Sequence, residues 1–317
     1  TTVKPTAAIS ALMVSFAGLA TGMAPAVAAP APIAEAACVT PNEAGRGQVK
    51  RAPDTRPVTN SDLTRAKRVD RLHDRRAQRV AGPIVVKVHV HVIKGRHASD
   101  RYATTWRVNK TLEVLNDAYA AGQSANNTDT GFTFKVVSKE VLKRDRWYHA
   151  RPGGYYDRKM RRTLHKGGRD ALNIYFVRPR ATAEGAVLGW ATFPSDYAYY
   201  PRQDGLSLNI RAIPRGAFRG YNLGDTAVHE VGHWLGLAHT FEGGPCDPVN
   251  DGISDTPAQY EATYGCPEGA DTCADDPGLD PIHNFMDYGT DPCMWEFTPE
   301  QVARMQAQWL EYRQRTA

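Results

Sequence analysis

The sequence predicts an α+β fold, with a twisted mixed sheet early in the folded part and an irregular, cysteine-rich later part that ends in a helix. Three observations predict it. Between Ile84 and Val177, β-branched runs alternate with segments of helical periodicity. After Phe241 the chain turns to Gly, Pro and Asp and carries four of its 5 cysteines, a composition that sustains neither a long helix nor a long strand. From Pro299 to Arg313 helical periodicity returns, with Val302, Met305, Trp309 and Tyr312 on one side.

Residues 1–28 read as an export signal: Lys4, an apolar stretch from Ala7 to Ala20, and Ala26-Val27-Ala28 in the A-x-A form that a signal peptidase cuts. Ser10 and Ser15 interrupt that core and Pro25 follows it, so it falls short of the roughly 20 apolar residues of a membrane anchor. Residues 29–80, rich in Pro, Ala and Arg, read as a removable leader in which Arg65 to Arg79 forms a solvated basic helix open to proteolysis. The folded domain then spans 81–317. The net charge of +5 divides unevenly: residues 1–80 hold 12 Lys and Arg against 6 Asp and Glu, and the remainder 27 against 28. The basic excess therefore belongs to the leader, and a nucleic-acid surface on the folded domain is excluded for want of clustered cations on the part that persists. No membrane partner is expected after processing.

Within the domain, Pro83 opens the strand Ile84–Ile93. Its His89 and His91 read as ordinary strand histidines, since no third ligand follows at metal-binding spacing. Thr105–Tyr119 is helical through Val108, Leu112, Leu115 and Tyr119. Gly131–Val137 reads as a second strand, Tyr156–Leu164 as another helix, Leu172–Val177 as a third strand and Gly205–Ile210 as a fourth. Leu223–Leu237 is a helix that Asn222 or Asp225 would cap.

That last helix carries the chemistry. His229-Glu230-Val231-Gly232-His233 sets two imidazoles one turn apart on the same face, and Glu230 beside them is placed to accept a proton from water rather than to ligate. Neutral imidazoles around an ion with one open position describe a catalytic zinc site. Gly236 and His239 extend the pattern to H-E-x-x-H-x-x-G-x-x-H. A third ligand six residues past His233 requires the helix to stop and the chain to turn back, and Gly236 supplies the positive φ that such a stop needs.

The extended motif is the metzincin signature, and His283-Asn284-Phe285-Met286-Asp287-Tyr288 resembles the Met-turn of that clan, with Met286 beneath the metal and Tyr288 two residues later. Tyr221 to Gly224, His239 to Gly244 and the run from Asp255 to Thr298 narrow the resemblance to the pappalysin-like group, of which ulilysin is an archaeal member with bacterial secreted relatives. It implies a secreted zinc metalloendopeptidase with an upper subdomain built on a five-stranded sheet and a lower, disulfide-stapled subdomain. On this reading Glu230 is the general base and Tyr288 donates to the oxyanion. Gly205–Ile210 resembles the edge strand on which a protein or peptide substrate pairs as an extended strand, and Asp291 resembles an acidic pocket residue that favours Arg or Lys after the scissile bond. The chain is expected to act as a monomer. Two other classes fit parts of the pattern. An inactive zinc-dependent binding module is disfavoured by the presence of Glu230, and a zinc hydrolase of a small non-peptide substrate by an edge strand beside the zinc helix.

Cys246, Cys266, Cys273 and Cys293 permit three pairings, and export permits disulfides. The resemblance favours Cys246 with Cys273 and Cys266 with Cys293. Oxygen donors crowd the loop from Asp247 through Asn250, Asp251 and Asp255 to Thr256 and suit calcium, which the resemblance also implies, with Asp251 and Thr256 as ligands. Cys38, the odd thiol, lies in the leader, where a thiolate that takes the open zinc position would keep the precursor latent.

Overall fold

The computed structural model describes residues 56–75, 82–96, 104–182, 185–244, 246 and 251–315, all within the compact unit Gly45–Ala317. The export signal, Cys38, Asp247 and Asn250 lie outside the described residues.

The sheet grows from β1 (Ile84–Lys94), whose Val86, Val88, Val90 and Val92 are buried on one face. Stiff β-branched side chains suit that pleated surface, and each fully buried valine contributes about 1.5–3 kcal/mol of apolar burial. β2 (Phe132–Lys143) and β3 (Ala171–Val177) flank β1, both in parallel. Parallel neighbours need crossovers. The first is α2 (Thr105–Tyr119), capped by Thr104, and the second runs through α3 (Asp145–Tyr148) and α4 (Tyr155–Leu164).

β4 (Gly189–Ala191) and β5 (Leu206–Asn209) complete the order β2-β1-β3-β5-β4, with β5 parallel to β3 and β4 antiparallel to β5. Here the structure corrects the expectation for Gly205–Ile210. β5 is an inner strand, buried at all four positions, and the edge is β4. Three residues of Gly, Trp and Ala carry too little alternation to announce a strand, whereas the continuous burial of β5 is what its two neighbours impose.

α5 (Asp225–Trp234) packs on β4 and β5 and beside α2, and Tyr119 Oη donates to Val228 O at 3.3 Å. It is shorter than its hydrophobic pattern suggested, and neither Asn222 nor Asp225 caps it. The N-cap is Gly224, at φ 131°, and the Asp291 carboxylate accepts from Leu223 N at 2.6 Å and Gly224 N at 3.1 Å.

The chain ends in α6 (Pro299–Gln308), closed at its start by a Thr298–Gln301 capping box, and then widens into a π turn at Trp309–Arg313. That turn seats Arg313, wholly buried, over the Trp234 ring at 3.6 Å from its centroid. Its guanidinium donates to Trp234 O at 2.9 Å and to Asp204 at 3.0 and 3.2 Å, while Asp204 also accepts from Trp234 Nε1 at 3.0 Å. A buried cation thus meets the C-terminal Trp234 carbonyl of α5, where the helix dipole favours it.

The basic segment ahead of β1 is more than a solvated helix. α1 (Asn60–Arg75) starts five residues ahead of the arginine run and lies on α6, burying Leu63, Val69 and His73. Asp70 accepts from Arg304 Nε at 2.5 Å, and Arg304 also donates to Gly252 O at 2.7 Å.

Among the described residues between His239 and Thr298 there is little regular structure. Disulfides join Cys246 to Cys273 and Cys266 to Cys293, with Cα–Cα distances of 5.3 and 5.5 Å. Polar side chains supply much of the remaining order. Asp287 accepts from Thr263 N, Tyr288 N and Gln259 Nε2 at 3.0, 2.7 and 3.1 Å, and the Asn284 and Gln301 carboxamides exchange two hydrogen bonds. Phe285, Met286 and Phe297 insert into the same core as the sheet.

Candidate active site

α5 stops by the geometry its glycine allows. At φ 99°, Gly236 lets Leu237 N bond Gly232 O at 3.0 Å and Gly236 N bond His233 O at 2.9 Å, a Schellman closure. The chain then returns His239 toward the helix.

The three imidazoles converge through Nε2. The His233 atom lies 3.1 Å from that of His229 and 3.1 Å from that of His239. Each Nδ1 is engaged elsewhere: His229 on Phe285 O at 2.6 Å, His233 on Leu237 O at 2.8 Å and His239 on Glu242 Oε1 at 3.0 Å. A carbonyl oxygen only accepts, so Nδ1 of His229 and His233 must carry the hydrogen and their Nε2 lone pairs face inward. Converging lone pairs repel unless a cation lies among them. Nitrogens placed tetrahedrally at zinc–nitrogen distance would sit about 3.3 Å apart, close to the spacing observed. The donor set therefore fits zinc, and all three histidines are buried.

Glu230 is fully buried on the same helix. It lies against Gly189 of the edge strand, where a Cβ would come within 2.6 Å of Oε1 and 2.7 Å of Cγ. The bare glycine leaves room for the carboxylate. On the opposite side Met286 packs under α5 at Gly232, where a Cβ would meet its Sδ at 2.4 Å. Tyr288 stands with its ring 4.9 Å from that of His239 and 5.9 Å from that of His229, beside Phe241 at 5.1 Å. Burial raises the Asp287 carboxyl above the usual range, against the hydrogen bonds that hold it.

His229, Glu230, His233, His239, Met286 and Tyr288 thus form one cluster. Asp291 is buried behind the start of α5 and holds Leu223 N and Gly224 N. Asp251 and Thr256 meet away from the imidazoles, Thr256 Oγ1 lying 2.9 Å from both Asp251 oxygens, whereas Asp255 serves α6 through Thr298 Oγ1 and Glu300 N. His89 and His91 pair with Ser138 and with Glu140 and Asn173, and belong to no metal-ligand group among the described residues. Glu242 and Gly189 position the site but stand outside the letters of the zinc motif; Glu242 entered the sequence reading only within the His239 to Gly244 stretch, with no role assigned to it.

Fold and site together define a metal-dependent peptidase. Comparison with known proteins gives the same class: the family model Peptidase_M43, described as pregnancy-associated plasma protein-A, matches residues 182–310. An extracellular metalloprotease of Podospora anserina is 40% identical over 240 residues, covering 74% of this chain and 76% of its own, and one of Pyricularia oryzae is 39% identical over 232 residues, covering 73% and 76%. Promirolysin of Tannerella forsythia is 25% identical with a TM-score of 0.66, covering 80% of this chain and 89% of its own. Mature mirolysin in complex with a cleaved peptide gives 25% and 0.60, covering 73% and 96%. The chain belongs to the pappalysin-like family of metzincins and is an extracellular zinc metalloendopeptidase. Among the described residues no helix is long and apolar enough to cross a membrane.

Proposed function

We propose that the chain is made as a latent precursor, with a signal at 1–28, a propeptide at 29–80 and a catalytic domain at 81–317, and that the processed enzyme cleaves proteins or peptides bound as an extended strand along β4. The observation that carries this reading is the set of inward-facing imidazoles with Glu230 between them and the edge strand. Mirolysin's capture with a cleaved peptide supports the same substrate class. A small non-peptide substrate would call for an enclosed cavity, and a binding module would have no use for Glu230.

Zinc, held by His229, His233 and His239, would polarise the scissile carbonyl and acidify water at the site. Glu230 then takes the proton of the attacking water on its carboxylate and delivers it to the leaving amine nitrogen as the C–N bond breaks. The phenol of Tyr288 donates to the oxyanion as the carbonyl carbon becomes tetrahedral. Phe285 O, Leu237 O and Glu242 hold the imidazoles in the tautomer that ligates, and Met286 supports the helix from below. A preference for Arg or Lys after the scissile bond would rest on Asp291, whose buried carboxylate already serves two backbone N–H groups. Latency would rest on the Cys38 thiolate. Calcium would take Asp251 and Thr256, where burial pushes the Asp251 carboxyl up to about 7 and a cation would stabilise the ionised form.

Incubation of a denatured protein with the processed chain, with and without a chelator, tests the reading. Cuts that vanish with the chelator and with Glu230→Ala are expected. A folded, leader-free chain that leaves the protein whole would overturn it.

A further inference from the structure

Phe193 lies two residues beyond the end of the edge strand β4. Its backbone N–H donates to Asp196 Oδ2 at 3.2 Å, and its ring stands edge-on to His233 with centroids 5.5 Å apart. On this ring sits a cation from the leader: the Arg56 guanidinium, 5.4 Å from the centroid, donates to Asp196 Oδ1 at 3.4 Å. Asp62, in the first turn of α1, holds the same guanidinium with two bonds of 2.8 and 3.0 Å. Arg56 and Asp196 also line a depression of about 740 Å³ whose wall includes Trp190, Ala191 and Thr192 of β4 and its exit, and Arg158, Arg161 and Arg162 of α4, of which Arg161 is paired with Asp157.

An aromatic face with a carboxylate beside it is a donor-matched seat for a guanidinium. Two features distinguish it from an ordinary surface ion pair. The seat belongs to the body and borders the strand that leaves an edge for an extended peptide. Its occupant belongs to a segment read as removable. Loss of that segment takes away both Arg56 and Asp62, leaves Asp196 facing the depression and uncovers the Phe193 ring on which Arg56 sat.

We propose that Phe193 and Asp196 form a substrate subsite for a cationic side chain, which Arg56 fills in the precursor. Direction follows from β4: it starts beside Glu230 at Gly189 and runs toward Phe193. A peptide paired antiparallel to it places at this seat residues that precede the scissile bond. The subsite is separate from Asp291, which stands at the start of α5. Arg56 then acts as a substrate mimic, and the cleft opens on this side only when the leader departs. The inference rests on the endopeptidase and propeptide readings above.

The test uses enzyme matured from the full chain and peptides in which each position before the scissile bond carries Arg, Gln or Glu. Two variants accompany the natural protein. Asp196→Asn removes the charge and keeps an acceptor for Phe193 N–H, and Phe193→Leu removes the ring. At one position the natural enzyme is expected to cleave the Arg peptide roughly tenfold faster than the Glu peptide, the strength of an ordinary charge-assisted contact, and Asp196→Asn to bring that ratio close to one. Phe193→Leu should lower it in part, and decides the matter if the first variant does not fold. Chelator-sensitive cleavage with no cation preference before the bond, or with one that both variants retain, overturns the subsite alone. No chelator-sensitive cleavage by the natural enzyme overturns the endopeptidase reading together with it.

Discussion

The two halves of the molecule are held together by different physics. Around β1 and β3 the chain buries valine, leucine, isoleucine and phenylalanine in one continuous core, and regular hydrogen-bond ladders satisfy the backbone. Among the described residues between His239 and Thr298 regular ladders are nearly absent, and two disulfides together with buried Asp, Asn, Gln and Thr side chains fix the path. The metal site straddles the two. His229, Glu230 and His233 come from a helix packed on the sheet, whereas His239, Met286 and Tyr288 come from the irregular half. Apolar burial can hold a helix in place, but it does not aim a ligand from a loop. The lower half pins its loops with directional bonds, and the ligand geometry depends on both.

The sharpest way to separate chemistry from support is Glu230→Gln. A loss of about 10²–10⁴-fold in kcat is expected, the usual worth of a general base, with melting temperature and zinc content unchanged. A variant that loses its metal as well would show that Glu230 is part of the scaffold.

Next in size is Arg313→Ala, which breaks the buried pair with Asp204 and strips the end of α5 of its cation. Removing one partner of such a pair costs about 3–5 kcal/mol in chemical denaturation, and the loss should reach the sheet-bearing half because Asp204 lies just before β5. A loss confined to fraying of the C-terminus would contradict the role given to Arg313.

Replacing Cys266 and Cys293 by Ser is expected to remove about 2–4 kcal/mol. Hydrogen exchange should locate the effect in residues 251–298 and leave β1 and β3 protected. Equal loss of protection in both halves would break the comparison.

The smallest effect is a pH dependence of calcium. Asp251 titrates near 7 in the folded chain against 3.8 as an unperturbed carboxyl, because burial disfavours its charge. Between those values the folded state holds a proton that the unfolded state has lost, so this group's contribution to stability falls as pH rises through the window. Calcium would replace that proton. The rise in melting temperature on adding calcium should therefore be larger at pH 8 than at pH 5, and a rise independent of pH would remove Asp251 from the ligand set.

Legibility in the sequence followed the same division. β1, α2 and α4 are periodic segments and β3 is a short apolar run, and these patterns announce them to within a few residues. The zinc motif is legible because its spacing is dictated by one helical turn and one glycine stop. β4 and the inner place of β5 are not, because strand order depends on long-range pairing and a three-residue strand carries no period. The docking of α1 on α6 was hidden by its charge: twelve of its 16 residues are polar, and among the larger side chains only Leu63, Val69 and Leu72 hint at a buried side. Asp291 shows the limit in the other half. A carboxylate in an acidic loop reads equally as a pocket or as a solvated residue, and only the folded chain reveals its bonds to Leu223 and Gly224.

The measurement that bears most directly on the site shared by the two halves is a zinc titration of metal-stripped enzyme, following peptide cleavage in the natural chain and in His239→Ala. Activity is expected to return in step with zinc and level off at one ion per chain, and His239→Ala, with two ligands left in the upper half, neither to retain the ion nor to recover. Full recovery by His239→Ala, or cleavage that persists in the stripped natural chain, would contradict it.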